Sequence, residues 1–156
     1  MSSTNIVHSP LKATKFSVRI AGSEYANLAG SVTEYNHPGV SCEPVVQTSP
    51  KVDIPHPGSK LVYEPLTIRH QLDSGMTLYD AVHDWIIYNA TNEDDKLRDI
   101  TLTLYNANNA PTKNVNFYNA FPEAISQLTF SASDPNDTQV SVDLTFRYTH
   151  FETKAI

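Results

Sequence analysis

Cysteine occurs once in the chain, at Cys42, so neither an internal disulfide nor a multi-cysteine zinc site can form. Long apolar runs are missing as well: nothing approaches the roughly 18–20 consecutive apolar residues of a membrane-spanning helix, so no membrane anchor is expected. Cations are also scarce. Lys plus Arg number 11 against 17 for Asp plus Glu, a formal charge of −6, whereas a free-standing nucleic-acid binder carries a basic footprint. The opening Met1-Ser2-Ser3-Thr4-Asn5 has no basic head and no apolar core behind it, which predicts no secretory signal and a chain that stays in the cytosol where it is made. In that setting Asn89-Ala90-Thr91 and Asn136-Asp137-Thr138 are chance matches to the glycosylation triplet.

Catalytic signatures are absent too. The sequence holds no G-x-G-x-x-G, no phosphate loop, no H-E-x-x-H and no G-x-S-x-G. The histidines at 8, 37, 56, 70, 83 and 150 never fall three or four residues apart, so none forms a local metal pair. Cys42 with a distant histidine is a conceivable nucleophile pair; an incidental thiol is the simpler reading. Glu93, Asp94 and Asp95 lack the glycine and spacing of a calcium loop and read as a solvated turn. The expectation is no catalytic residue, no metal and no cofactor.

What is present suits one folded domain over residues 1–156, with 40% apolar and 18% charged residues. Residues 1–14 are polar and aperiodic, a loose arm. Phe16, Val18 and Ile20 alternate on one face of a first strand, and a second short strand fits residues 30–35. Residues 37–58 then hold Pro38, Pro44, Pro50, Pro55 and Pro57, half of the chain's 10 prolines. Proline donates no backbone hydrogen bond, so this stretch is not the middle of a sheet. Its Val45, Val46, Val52 and Ile54 still have strand character. A hairpin arm that leaves the body and returns reconciles the two, either as a surface loop or as a contact with a neighbour. Residues 60–72 read as one long strand, with Pro65 marking an edge or a bulge.

One segment has helical period. Leu78, Ala81, Val82, Trp85 and Ile86 form a single apolar stripe, with Leu78, Val82, Trp85 and Ile86 as core anchors and Asp80, His83 and Asp84 outward. Thr77-Leu78-Tyr79-Asp80 resembles a capping box, and the stripe stops near Asn89. The remainder alternates as strands: residues 100–105, a turn at 107–112, a return at 114–118, and a final pair at 125–132 and 139–151. In the last, Val140, Val142, Leu144, Phe146 and Tyr148 share one face, while Ser141, Asp143, Thr145 and Arg147 share the other. The fold class expected is mainly β: two packed antiparallel sheets, as a sandwich or barrel, with one flanking amphipathic helix and a protruding hairpin arm.

Pro57-Gly58-Ser59-Lys60-Leu61-Val62-Tyr63-Glu64-Pro65-Leu66-Thr67-Ile68, leading through Leu72-Asp73 into Tyr79-Asp80-Ala81-Val82-His83-Asp84-Trp85-Ile86, resembles the tail tube proteins of contractile-tailed bacteriophages. Phe121-Pro122, Ile125-Ser126-Gln127-Leu128-Thr129-Phe130 and the closing Leu144-Thr145-Phe146-Arg147-Tyr148-Thr149-His150-Phe151-Glu152 extend that resemblance over residues 15–152. It implies a non-enzymatic structural subunit of the virion tail, assembled in the host cytoplasm. Six copies would form a ring whose inner sheets join into a barrel, and rings would stack into a tube for DNA ejection. Implied partners are further copies of the chain, the sheath protein, the baseplate or tube initiator, the tail terminator, and DNA in transit. Six copies of a −6 chain make an acidic ring, which suits a bore that repels phosphates.

On this reading Ser141, Asp143 and Thr145 are bore-lining candidates, with solvent exposure of that face as the plain alternative and Arg147 free to pair with a neighbouring subunit. Cys42, Glu43, Pro44, Val45, Val46, Val52 and Ile54 are candidates for ring-to-ring contact. Competing readings are a tube initiator or tail-completion protein, a type VI secretion tube protein, a monomeric ligand-binding β-barrel and, least supported, an enzyme on a β scaffold.

Overall fold

The computed structural model describes residues 11–22, 25, 31–136 and 139–156. The expected loose arm therefore falls mainly outside the described residues, as do Gly30 at the start of the expected second strand and part of the Asn136 triplet. Eleven strands and one helix are present among the described residues. They are β1 (Phe16–Ile20), β2 (Val32–Asn36), β3 (Val40–Cys42), β4 (Val45–Gln47), β5 (Ile54–His56), β6 (Leu61–Tyr63), β7 (Leu66–Gln71), α1 (Thr77–Thr91), β8 (Arg98–Tyr105), β9 (Pro111–Ile125), β10 (Ser141–Arg147) and β11 (His150–Ala155).

All strand pairing is antiparallel and runs β1-β8-β9-β10-β7-β2, with β11 added on β9. Strand β9 makes this two sheets. Its first part pairs with β8 and β11 (sheet A), and from Phe121 onward it pairs with β10 (sheet B). The change of sheet falls at Asn119, whose φ of 55° is left-handed, a conformation asparagine tolerates better than most residues. The Asn119 backbone N–H donates to Asp99 Oδ1 at 3.2 Å, which fixes the corner. Strands β10 and β11 follow β9 around the same corner and break at Tyr148 and Thr149.

The two inner faces close on one core. Val18, Ile20, Ile100, Leu102, Val115 and Phe117 come from sheet A; Leu66, Ile68, Val142, Leu144 and Phe146 come from sheet B. Helix α1 lies against β9 and adds Leu78, Val82 and Trp85. Trp85 stacks at a tilt 5.3 Å from Tyr25 and 6.1 Å from Phe146, and its indole N–H donates to Lys96 O at 2.6 Å. The expected helix stripe is thus the buried one, except that Ala81 and Ile86 are only half-buried.

Three expectations give way. The capping box does not form: Thr77 is the first helical residue, and Asp73 caps it, accepting from Thr77 N at 3.0 Å and Thr77 Oγ1 at 2.6 Å. Those two bonds hold the Asp73 carboxyl below the usual carboxylate range. The single strand expected over residues 60–72 is two strands: Glu64-Pro65 breaks it, and β7 lies between β10 and β2 rather than at an edge. The expected hairpin of residues 125–132 with 139–151 forms only at its start: Ile125 pairs with Leu144, and Ser126 N donates to Asp143 O at 2.9 Å. Strand β9 ends at Ile125, and the described residues between it and β10 carry no strand; Phe130 among them is 72% exposed.

Candidate functional site: an exposed arm and a charge-paired sheet face

Residues 40–63 form two short ribbons in series, β3 with β6 and β4 with β5. This is the expected hairpin arm, but it begins and ends later than 37–58 and takes in Leu61, Val62 and Tyr63. The prolines divide it. Pro44 and Pro57 flank the gap between the ribbons, where a Cβ on Gly58 would sit 1.9 Å from Glu43 O, so only glycine lets the two strands cross there. Cys42 donates its thiol to Gly58 O at 3.0 Å across the same bend.

The arm is exposed over most of its length. Val45, Val46, Val52 and Ile54 are 62%, 53%, 66% and 47% exposed, and Leu61 is 56% exposed. Cys42, Glu43 and Pro44 are exposed as well. A two-stranded ribbon is marginal alone in water, so what orders this one is its root. There Tyr63 meets Tyr148 and Phe151 edge-on at 5.9 and 5.6 Å, and His37 meets Phe151 at 5.2 Å. The Tyr148 hydroxyl donates to Glu64 O at 2.8 Å, and Glu64 N and Gly39 O close the base at 3.0 Å. Burial, with Tyr63 and Glu64 nearby, pushes the Tyr148 phenol up to about 12. Sequence reasoning missed this root; its only trace was the aromatic content of residues 148–151.

The outer face of sheet B carries the expected bore residues. Ser141 is exposed, and Asp143 and Thr145 are half-buried between neighbouring strands. Asp143 lies opposite Arg69 on β7, which lies opposite Glu34 on β2. Arg69 Nε donates to Asp143 Oδ1 at 2.8 Å and Nη2 to Oδ2 at 3.3 Å, while Nη1 lies 3.5 Å from Glu34 Oε2. The hydrogen bond from Arg69 holds the Asp143 carboxyl below its ordinary range. Arg147, expected to reach a neighbour, is already engaged within the chain: its Nε donates to Glu123 Oε2 at 2.9 Å. The face is charge-paired rather than simply acidic. Arg69, Glu34 and Glu123 were not singled out from the sequence, because only strand register brings them opposite their partners.

A cleft of about 600 Å³ opens where β2 overhangs sheet A, lined by Phe16, Tyr35, Leu102, Leu104 and Val115. Among the described residues no three of His, Cys, Asp or Glu converge as a metal-binding set, and no helix is long and apolar enough to cross a membrane. Outward on α1, Asp80, His83 and Asp84 are exposed, with the His83 ring stacked on Tyr79 at 6.1 Å.

A helix-flanked sandwich with a long protruding arm is the build of a tube protein of contractile injection machines, and solved structures share the fold. The sheath-tube complex of the extracellular contractile injection system PVC matches with a TM-score of 0.69 at 20% identity, over 100% of this chain and 99% of that one. The sheath/tube terminator structure of the same system matches at 0.74 and 21% identity, over 96% and 99%. The tail tube terminator protein of Enterobacteria phage T4 is 25% identical over 104 residues, 62% of this chain and 59% of the relative. The chain therefore spans less than two thirds of that curated relative's length. The family described as T4-like virus tail tube protein gp19 matches residues 12–152, and the chain belongs to it. It is a tail-tube-associated component of the contractile phage type.

Proposed function

We propose that the chain is the repeating, non-enzymatic subunit of a phage tail tube. Six copies close into a ring, and rings stack into a hollow conduit for DNA inside a contractile sheath. The observation that carries this is the arm: a ribbon with exposed valines and isoleucine at its tip, held at its root by Tyr63 against Tyr148 and Phe151. Residues 42–54 are then the ring-to-ring contact, and Ser141, Asp143 and Thr145 face the bore. Among the described residues the edge strands β1, β2 and β11 have one neighbour each, and ring closure would pair such edges, removing the aggregation hazard. Partners on this reading are further copies, the sheath protein, the baseplate or tube initiator, and the tail terminator. Assembly takes place in the host cytoplasm.

The test is negative-stain electron microscopy of the concentrated protein. Six-fold rings or hollow rods are expected; compact monomers at every concentration, even when seeded with tail baseplates, would sink the proposal. A second reading, a terminator or tail-completion protein at the tube end, is favoured by the curated T4 relative, itself a tail tube terminator. That reading predicts rings that cap preformed tubes and never lengthen into rods.

A further inference from the structure

The outer face of sheet B carries guanidinium groups but no ammonium group. No lysine falls in β2, β7, β10 or the part of β9 that belongs to this sheet, whereas Lys113 and Lys154 stand on sheet A. Both arginines on the face, Arg69 and Arg147, have carboxylates at hydrogen-bond distance. Arg69 meets Asp143 through two nitrogens and Glu34 through the third, and Arg147 meets Glu123. The remaining outward side chains along the pair of β7 and β10 are Thr67, Gln71, Ser141 and Thr145, none of them charged.

Exposed ion pairs contribute little to folding, so stability is a weak reason for placing five charged groups on one face. What the arrangement does achieve is electrostatic. A free lysine or arginine facing DNA exchanges its counterion for a phosphate and holds it. Arg69, bridged through two nitrogens by Asp143, has those directional donors occupied, and Arg147 has its Nε taken by Glu123. Three carboxylates against two guanidiniums leave the face slightly negative, so phosphate is neither captured nor strongly repelled.

We propose that Glu34, Asp143 and Glu123 are quenching residues: they occupy Arg69 and Arg147 so that the face offers no cation to the phosphates of double-stranded DNA sliding past. The inference rests on the reading of this face as the wall of a DNA conduit. The arginines stitch β2, β7 and β10 in register and β9 to β10, and the carboxylates keep that stitching from becoming a brake.

The experiment compares the full-length protein with the triple variant Glu34→Gln, Asp143→Asn, Glu123→Gln, using a fluorescein-labelled random-sequence DNA duplex and fluorescence anisotropy at several salt concentrations. The wild type is expected to show no saturable binding. The triple variant should gain at least about tenfold in apparent affinity at low salt, with a salt slope steeper by about one per freed arginine. Adding Arg69→Gln and Arg147→Gln should abolish the gain. A control with the same net charge, Glu93→Gln, Asp94→Asn, Asp95→Asn, should not bind.

Glu123→Gln alone, which frees only Arg147, keeps the test open where the triple variant fails to fold. DNA binding by the wild type, no gain in a folded variant, or an equal gain in the control would each overturn the proposal. Electron microscopy of the same wild-type sample separates the two ideas. Rings or rods without a gain overturn quenching and leave the conduit standing; a sample forming neither overturns the conduit, and this proposal with it.

Discussion

Trp85 joins the helix to both parts of the core, with Tyr25 on one side and Phe146 on the other. Replacing Trp85 by alanine removes that packing and the 2.6 Å hydrogen bond from its indole N–H to Lys96 O. The expected cost is about 3–5 kcal/mol, and a thermal melt should show Tm falling by about 10 °C or more. His70 is the other decisive residue. It is 1% exposed on β7, its Nδ1–H donates to Gln71 O at 3.0 Å, and Nε2 has no partner among the described residues. Burial lowers its pKa below the ordinary 6.5, so the fold holds the neutral ring. Above pH 6.5 both states are neutral and nothing is lost; as pH falls below 6.5 the unfolded chain takes up the proton first, and stability drops. Unfolding free energies from urea titrations between pH 7 and 5 should therefore fall by up to about 1.4 kcal/mol per pH unit through this group. A His70→Gln variant should lose the His70 part of the slope and keep the part due to His37, whose pKa burial also lowers. Asp73 and Asp143, both shifted downward, act in a separate window below about pH 4.

At the scale of elements, the arm and the body are separable by design. Packing beyond the ribbons themselves is concentrated at the root, through His37, Tyr63, Tyr148 and Phe151. Removing residues 43–54 should therefore leave the melting temperature of the body within a few degrees of the wild type. Electron micrographs should then show single rings and no tubes; long tubes from the deletion variant would refute the arm as the stacking contact. The helix was legible because a stripe of period 3.6 needs only one buried face. Its cap was not: Asp73 reaches forward four residues from a turn, and Thr77-x-x-Asp80 offered a more familiar pattern. Strand breaks were similarly hidden. Alternation continues through Tyr148 because the corner preserves which face is buried while the backbone changes sheet.

For the molecule as a whole, the edges that β1, β2 and β11 leave unpaired among the described residues, together with the apolar arm, make association the expected outcome of concentration. Sedimentation velocity should show mass rising stepwise, first to a ring and then to stacks. The arm-deleted chain should stop at the first step, and a single monomer boundary for the full chain at high concentration would contradict both. The formal charge of −6 opposes indiscriminate association of such a chain. That charge is not concentrated on the sheet B face, where carboxylates and guanidiniums nearly cancel.

The sequence by itself determined the periodicities: a mainly β chain, one helix with Trp85 inside, and a proline-divided arm that could not be the middle of a sheet. Those properties follow from single residues and their immediate spacing, namely side-chain polarity, a missing backbone N–H, and the pitch of a helix or strand. Only the tertiary structure decided which strands pair, that Glu64-Pro65 separates arm from body, and that Arg69 falls between Glu34 and Asp143. Those facts depend on register between segments far apart in the chain. Register is set by how both inner faces fill one core at once, a condition no local pattern contains.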